Sequence, residues 1–241
     1  MTVTATAIPM LTDNYAWLLR ESAAGAVGIV DPAEAEPAIA AIEAAGGKLD
    51  VIFITHHHGD HIGGVAALVA RYHPLVVGNA ADAHRLPKLD VPVREGDLVT
   101  FGNTTAELFN TPGHTIGHIA YYFADGGVLL PGDTLFSLGC GRLFEGTAED
   151  MFSAFQKFAR LPDETLVCAG HEYTASNAKF ALAKDPENAA LQARAAEITA
   201  LRVAGKATLP VTLGEERLTN PFMRAPTAAA FGALRTAKDK F

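Results

Sequence analysis

The sequence predicts an α/β fold with a smaller helical region at its C-terminal end, and three observations predict it. Short apolar runs bounded by turn residues recur as far as Cys168 and read as strands. Segments with apolar residues at helical spacing are set between them. After Gly170 the strand signals thin out and alanine-rich helical sequence takes over. This change in composition puts a boundary near Ser176 and divides the chain into 1–175 and 176–241.

The elements follow in order. Tyr15 to Leu19 and Val27 to Val30 read as strands joined by a turn near Ala24-Gly25. Pro37 to Ala45 reads as a helix with Ile39 and Ile42 inward and Gly46 as its stop. Leu49 to Ile54 is an apolar strand, and Val65, Leu68, Val69 and Tyr72 mark the helix after it. Leu75 to Gly78, Glu107 to Phe109, Ile119 to Phe123, Val128 to Leu130 and Thr165 to Cys168 are further short strands. Thr147 and Asp150 form a capping-box signal for a helix bearing Met151, Phe152, Phe155 and Phe158 on one face. In the C-terminal region Asp185-Pro186 is expected to open a helix that Gly205 closes, with Leu191, Ala195, Ile198 and Leu201 as its apolar stripe. Pro210 to Pro226 has no clear periodicity, and a last helix is expected over Ala228 to Lys238.

Composition limits the function. With 241 residues and 49% hydrophobic content, the chain suits one large domain with a small companion. No apolar run approaches the roughly 18 residues that span a bilayer. Met1 to Thr6 lacks the basic start and apolar stretch of an export signal, so a cytoplasmic protein is expected. Cys140 and Cys168 are too few for a disulfide framework. A formal charge of −8 argues against nucleic-acid partners, while leaving room for a small anion held by local arginines. No membrane partner is expected, and a monomer is the default.

Chemistry concentrates in Thr55-His56-His57-His58-Gly59-Asp60-His61, directly after the strand ending at Ile54. Strand alternation sends His56 and His58 to one side and His57 to the other. The chain then turns at Gly59 and presents Asp60 and His61 to a neighbouring point. Three more candidates, His114, Asp133 and His171, each follow a glycine just past a strand, where rigid elements hold catalytic ligands. Together they make five histidines and two aspartates, more than the three or four ligands one zinc needs. Two adjacent ions need a shared ligand, and a carboxylate can bridge where an imidazole cannot. Asp133 is the better bridge, because Asp60 is tied to its neighbour His61. His73 and His84 read as surface residues, His118 as a hydrogen-bonding support and Cys140 as a small structural thiol.

On these residues the chain resembles the metallo-β-lactamase-fold hydrolases, whose motif the His-x-His-x-Asp-His loop, His114, Asp133 and His171 match in type and order. Within them it resembles glyoxalase II, the hydroxyacylglutathione hydrolases. The resemblance is carried by Asp13-Asn14-Tyr15, Gly139-Cys140-Gly141-Arg142, Gly170-His171-Glu172-Tyr173-Thr174 and Asn220-Pro221-Phe222-Met223-Arg224. It implies an αββα sandwich with a small C-terminal helical domain that helps bind substrate. It implies one divalent ion on His56, His58 and His114 and a second on Asp60, His61 and His171, with Asp133 bridging. Zinc is the default metal, with iron or manganese also accepted by such ligands. It implies a glutathione thioester as the small-molecule partner, held by Arg142, Tyr173 and Arg224 with Phe144 beside them. Phe144 stands where relatives often have tyrosine, and Thr227 where a lysine is expected. Lys238 and Arg235 are candidates for the missing cation, with nothing in their spacing to place them.

The implied reaction is S-lactoylglutathione and water to glutathione and D-lactate, a step of methylglyoxal detoxification. Asp60 and Asp133 would serve a bridging hydroxide that attacks the thioester. Same-fold alternatives are a mononuclear-iron persulfide dioxygenase and a two-metal hydrolase of another substrate. The complete set of seven ligand positions and the C-terminal helical segment favour the thioesterase.

Overall fold

The structure, a computed structural model, describes residues 2–241. Val3–Met10 (β1) and Asn14–Glu21 (β2) form a long antiparallel hairpin, paired from Val3 with Glu21 to Met10 with Asn14. Val27–Val30 (β3) continues the sheet antiparallel to β2. Ala35–Ala44 (α1) then crosses over to Val51–Phe53 (β4). Gly59–Ile62 (α2) and Val65–Tyr72 (α3) return the chain to Leu75–Asn79 (β5), and Val91–Val93 (β6) ends the sheet. Strands β3 to β6 run parallel. They are apolar on both faces, because helices cover one side and a second sheet the other. Ile29, Ile52 and Val76 face Ala38 and Ile42 of α1 and Val65 and Leu68 of α3.

The second sheet starts with Leu98–Phe101 (β7), Thr104–Asn110 (β8), Ile119–Phe123 (β9) and Val128–Leu130 (β10). Leu135–Phe136 (β11) and Gly139–Cys140 (β12) form a separate two-stranded ribbon. Ala148–Phe158 (α4) precedes Leu166–Val167 (β13), which pairs parallel with β10. Thr174–Lys184 (α5) and Ala189–Val203 (α6) follow. Val211–Thr212 (β14) pairs with β13, and Leu213–Thr219 (α7) and Ala228–Asp239 (α8) complete the chain. The strand order is β14-β13-β10-β9-β8-β7. Aromatic rings fill the space between the sheets. Phe53 meets Phe101, Tyr121 and Phe123 edge-on at centroid distances of 5.9, 5.1 and 5.8 Å. Helices α4 and α8 pack through Phe155 and Phe231, 5.1 Å apart. The result is the expected αββα layering with helices at the C-terminal end. No helix among the described residues is long and apolar enough to cross a membrane.

The capping box forms as expected, with Thr147 Oγ1 accepting from Asp150 N and Asp150 accepting from Thr147 N. The helix expected from Asp185-Pro186 begins instead at Ala189, because the Asn188 side chain accepts from Leu191 N and caps it there. The stretch from 210 to 226 is not irregular. β14 exists through its pairing with β13, and α7 through its cap, the Thr212 hydroxyl on Glu215 N.

Helix α7 buries an acid, Glu216, which is 0% exposed. Burial lifts its carboxyl from the ordinary 4.5 to about 7, although Leu138 N, Asn220 and Ser137 all donate to it. The folded chain therefore keeps a proton that the unfolded chain releases above about 4.5. More protons on the folded state mean that this group's contribution falls as pH rises from about 4.5 to 7. In Glu216→Gln that decline should vanish. Denaturant midpoints compared with those of the unmutated chain across the window should show a flatter profile, and an unchanged slope would refute the assignment.

Candidate metal centre

Four chain segments converge at one edge of the two sheets. The segment from β4 into α2 supplies His56, His58, Asp60 and His61, and the β8–β9 loop supplies His114. The residues just after β10 and β13 supply Asp133 and His171. His58 Nδ1 lies 3.1 Å from His56 Nε2 and 3.0 Å from His114 Nε2. A second group joins His171 Nε2 to Asp60 Oδ2 at 3.5 Å and His61 Nε2 to the same oxygen at 3.8 Å. Asp133 stands between the groups. Its Oδ1 is 3.4 Å from His61 Nε2, and its Oδ2 is 3.4 Å from His114 Nε2 and 3.3 Å from His171 Nε2. The seven predicted ligands are thus brought together as two triads and a carboxylate facing both.

For four of the five histidines the inward nitrogen is set by what the outer ring nitrogen does. His61 Nδ1–H donates to Asp31 at 2.9 Å and His171 Nδ1–H to Asp13 at 2.9 Å. His114 Nδ1–H donates to the Arg142 carbonyl at 2.9 Å. The Thr55 hydroxyl donates to Asp31 at 2.6 Å and so accepts from His56 Nδ1, 3.0 Å away. Asn14 Nδ2 donates to Asp60 Oδ2 at 3.0 Å and orients that carboxylate. Asp31 also lies within reach of His56 and His61, but Thr55 and His61 already occupy its oxygens.

The electrostatics ask for cations. Burial would raise the Asp133 carboxyl, yet the facing His61 and His171 hold it well below the usual carboxylate range. Burial opposes a proton on His61, but Asp133 and Asp31 lift it well above the ordinary imidazole value; Asp133 and Asp13 act likewise on His171. His56 is held well below that value by burial and by His61 and His118, and burial also lowers His58 and His114. Neutral imidazoles with lone pairs inward are metal-ready donors. His61 Nε2 and Asp133 Oδ1 are buried without a hydrogen-bond partner. Unpaired buried polar atoms facing one another are costly unless a ligand completes them. The residues therefore fit a pair of divalent ions.

Two glycines make the convergence possible. A side chain at Gly132, where φ is +50°, would start 2.5 Å from Thr55 Oγ1. One at Gly170 would start 2.6 Å from Asp133 Oδ1. His118 supports Asp133 from behind, its Nε2 accepting Asp133 N at 3.1 Å. His57 turns away toward Asp82, 3.3 Å off, while His73 and His84 are exposed. Cys140 and Cys168 are buried, and burial pushes the Cys140 thiol up to about 12, unlike a nucleophile.

A cavity of about 720 Å³ opens from Asp133 and His114. Arg142, Phe144 and Tyr173 line it, as expected. Tyr173 stacks on His171 with centroids 4.6 Å apart, and Phe144 packs on His114 at 5.1 Å. Arg224 does not line the cavity. Its guanidinium is drawn to Asp185, so the expected clamp is not at that position. Arg235 and Lys238 of α8 line it instead, together with Lys179 of α5. Asp13, Asn14 and Asp31 are supporting residues without a role in the sequence reading; Asp13 and Asn14 lie in the Asp13-Asn14-Tyr15 segment that carries the resemblance, and Asp31 has no local signal.

The family model described as "Metallo-beta-lactamase superfamily" matches residues 11–171, and that described as "Hydroxyacylglutathione hydrolase C-terminus" matches 172–241. A hydroxyacylglutathione hydrolase from Acidiphilium cryptum is 54% identical over 238 residues, covering 99% of this chain and 97% of that protein. One from Rhodobacter capsulatus is 53% identical, covering 97% and 91%. Among solved structures, the crystal structure of ETHE1 from Myxococcus xanthus is similar with a TM-score of 0.74 at 26% identity, covering 98% of this chain and 90% of that one.

Elemental analysis after purification should find about two divalent ions per chain, as two adjacent triads require. His171→Ala should leave about one. Two ions retained by the variant would remove His171 from the ligand set.

Proposed function

From the premise that the chain belongs to the hydroxyacylglutathione hydrolase family of the metallo-beta-lactamase superfamily, we propose that it hydrolyses S-lactoylglutathione to glutathione and D-lactate. The observation that carries this reading is the cavity itself. It runs from the carboxylate between the two triads to a wall bearing Arg142, Lys179, Arg235 and Lys238. On a chain of net charge −8, four cations at one cavity suit a ligand with carboxylates at one end and a reactive carbonyl at the other.

The site is a two-metal site for divalent ions. His56, His58 and His114 would hold one, Asp60, His61 and His171 the other, and Asp133 both. Nitrogen and oxygen donors without thiolate suit zinc first, then iron or manganese. When bound, the ions lower the pKa of a water toward neutrality and polarise the thioester carbonyl. The protein's own groups do the rest. Asp60, held by Asn14 and drawn below its ordinary value by His61 and Asn14 although burial opposes this, stays ionised, so that it can both hold an ion and orient the attacking water. Phe144 covers His58 and His114 on the open side and limits solvent there. The thiol leaving group has a pKa of about 8.5 and departs as thiolate without a dedicated acid. Arg142 and Lys238 would hold the tripeptide carboxylates, with Arg235, tied to the Cys140 carbonyl and Asp239, bracing that wall and Tyr173 as the wall beside the sulfur. On this reading 1–175 is the catalytic domain and also supplies Arg142 and Tyr173, and 176–241 is the helical domain that completes the substrate site, in a monomeric, cytoplasmic enzyme.

Loss of S-lactoylglutathione absorbance should be rapid, should stop with a chelator and should return with added zinc. Turnover indifferent to chelation would reject the reading. Lys238→Ala should raise KM by roughly tenfold or more with little change in kcat, since a charged hydrogen bond is worth about 1.5–3 kcal/mol. Arg224→Ala should leave KM within about twofold, because an exposed ion pair contributes little. The reverse pattern would restore Arg224 as the clamp.

Burial, with Arg235 and Arg142 nearby, lowers the Lys238 ammonium to about 8, while Asp239 opposes them. The charge is present below that value and lost above it. Accordingly kcat/KM should fall as pH rises through about 8, and Lys238→Ala should remove that limb.

A further inference from the structure

The ribbon of β11 and β12 turns at Ser137-Leu138, and that turn is built against conformational preference. Leu138 is fully buried with φ +58°, the left-handed region that a branched L-residue rarely adopts. Its side chain packs among Ala178, Leu191 and Ile198 of the C-terminal helices. Three buried side chains from those helices satisfy the turn. Asn177 Nδ2 donates to Ser137 O at 2.9 Å, and Asn220 Nδ2 donates to Gly139 O at 3.0 Å. Glu216 accepts from Leu138 N at 2.9 Å and from Ser137 Oγ at 2.8 Å. Glu216 also accepts from Asn220 at 2.8 Å, so it ties the whole set together. No step of the hydrolysis uses this acid.

The ribbon presents both walls of the thiol side of the cavity. Phe136 stands edge-on to Tyr173 at 5.2 Å and to His171 at 5.9 Å. The Cys140 carbonyl accepts from Arg235 at 2.9 Å, so this one member of the cation wall is fixed to β12. Asp133 is held separately, by His118 and by the facing imidazoles.

We propose that Glu216 is a positioning residue for glutathione binding: by fixing the Ser137-Leu138 turn it sets the spacing between the Phe136–Tyr173 wall and Arg235. A residue that shapes the binding half alone moves KM and product inhibition, and leaves the chemical step and the ions in place. This inference rests on the functional reading above.

The test uses Glu216→Leu, which keeps bulk but no acceptor. Glu216→Gln still offers an oxygen to Leu138 N and Asn220. Glu216→Leu should raise KM for S-lactoylglutathione and the inhibition constant of glutathione together, by roughly tenfold, with kcat within about threefold and two ions retained. Glu216→Gln should restore both constants to within about threefold of the unmutated chain. Should Glu216→Leu fail to fold, Ser137→Ala removes one of the bonds and should raise both constants by about threefold. A melting temperature that falls while both constants stay put overturns the inference, as does a loss confined to kcat. If the unmutated chain does not turn over the thioester, the functional reading fails and takes this inference with it. If it does and the variants match it, only this inference fails.

Discussion

A single buried carboxylate, Asp133, governs the centre. Taking a carboxylate out of water is expensive unless cations or donors replace the solvent. Here its two oxygens face His61 on one side and His114 and His171 on the other. Everything nearby serves that arrangement. Gly132 and Gly170 lack side chains so that the strand ends can close on it, and His118 takes its backbone N–H. The ring nitrogens that face it are free because Asp31, Asp13 and a backbone carbonyl hold the opposite edges of the rings. Two parallel connections, one antiparallel hairpin and the segment after β13 deliver these groups from opposite sheets, which is why the αββα layering is needed at all.

The binding half follows a different logic. The four cations that line the cavity come from three places, the loop after β12, α5 and α8, and one of them, Arg235, is tied to the ribbon rather than to the main sheets. Asp133 joins the halves, being two residues before that ribbon and between the triads.

How much of this could be read from the chain depended on how local the signal was. The seven clustered residues were legible because metal ligation needs particular residue types and the motif packs four of them into six positions. The strands were legible where apolar runs were long enough, as in Ile119–Phe123. Elements of two residues, such as β14, exist only through a distant partner (Leu166 with Thr212, 46 positions on, for example) and carry no local signature. Asp31 looks like any loop aspartate, and its role depends on Thr55 and His61 folding over it. Arg224 closes a recognisable segment, but the acid Asp185, which the segment does not reveal, captures it. Lys238 has no spacing signal, since only the docking of α8 brings it to the cavity.

The seam between the sheets has a further consequence. Beside the centre, Tyr15 N donates to Gly170 O at 2.8 Å and Trp17 Nε1 donates to Ala169 O at 2.9 Å. Asp13 and His171, bonded there, are 158 positions apart along the chain. An ion held between Asp60, His61 and His171 would likewise close a very large loop, and loop-closure entropy grows only slowly with length once the ends are held. Bound metal would then be a reversible crosslink in the sense that a disulfide is a permanent one. A chain with only two buried, free thiols would obtain that bracing from its candidate metal centre, in a form that the supply of metal can set.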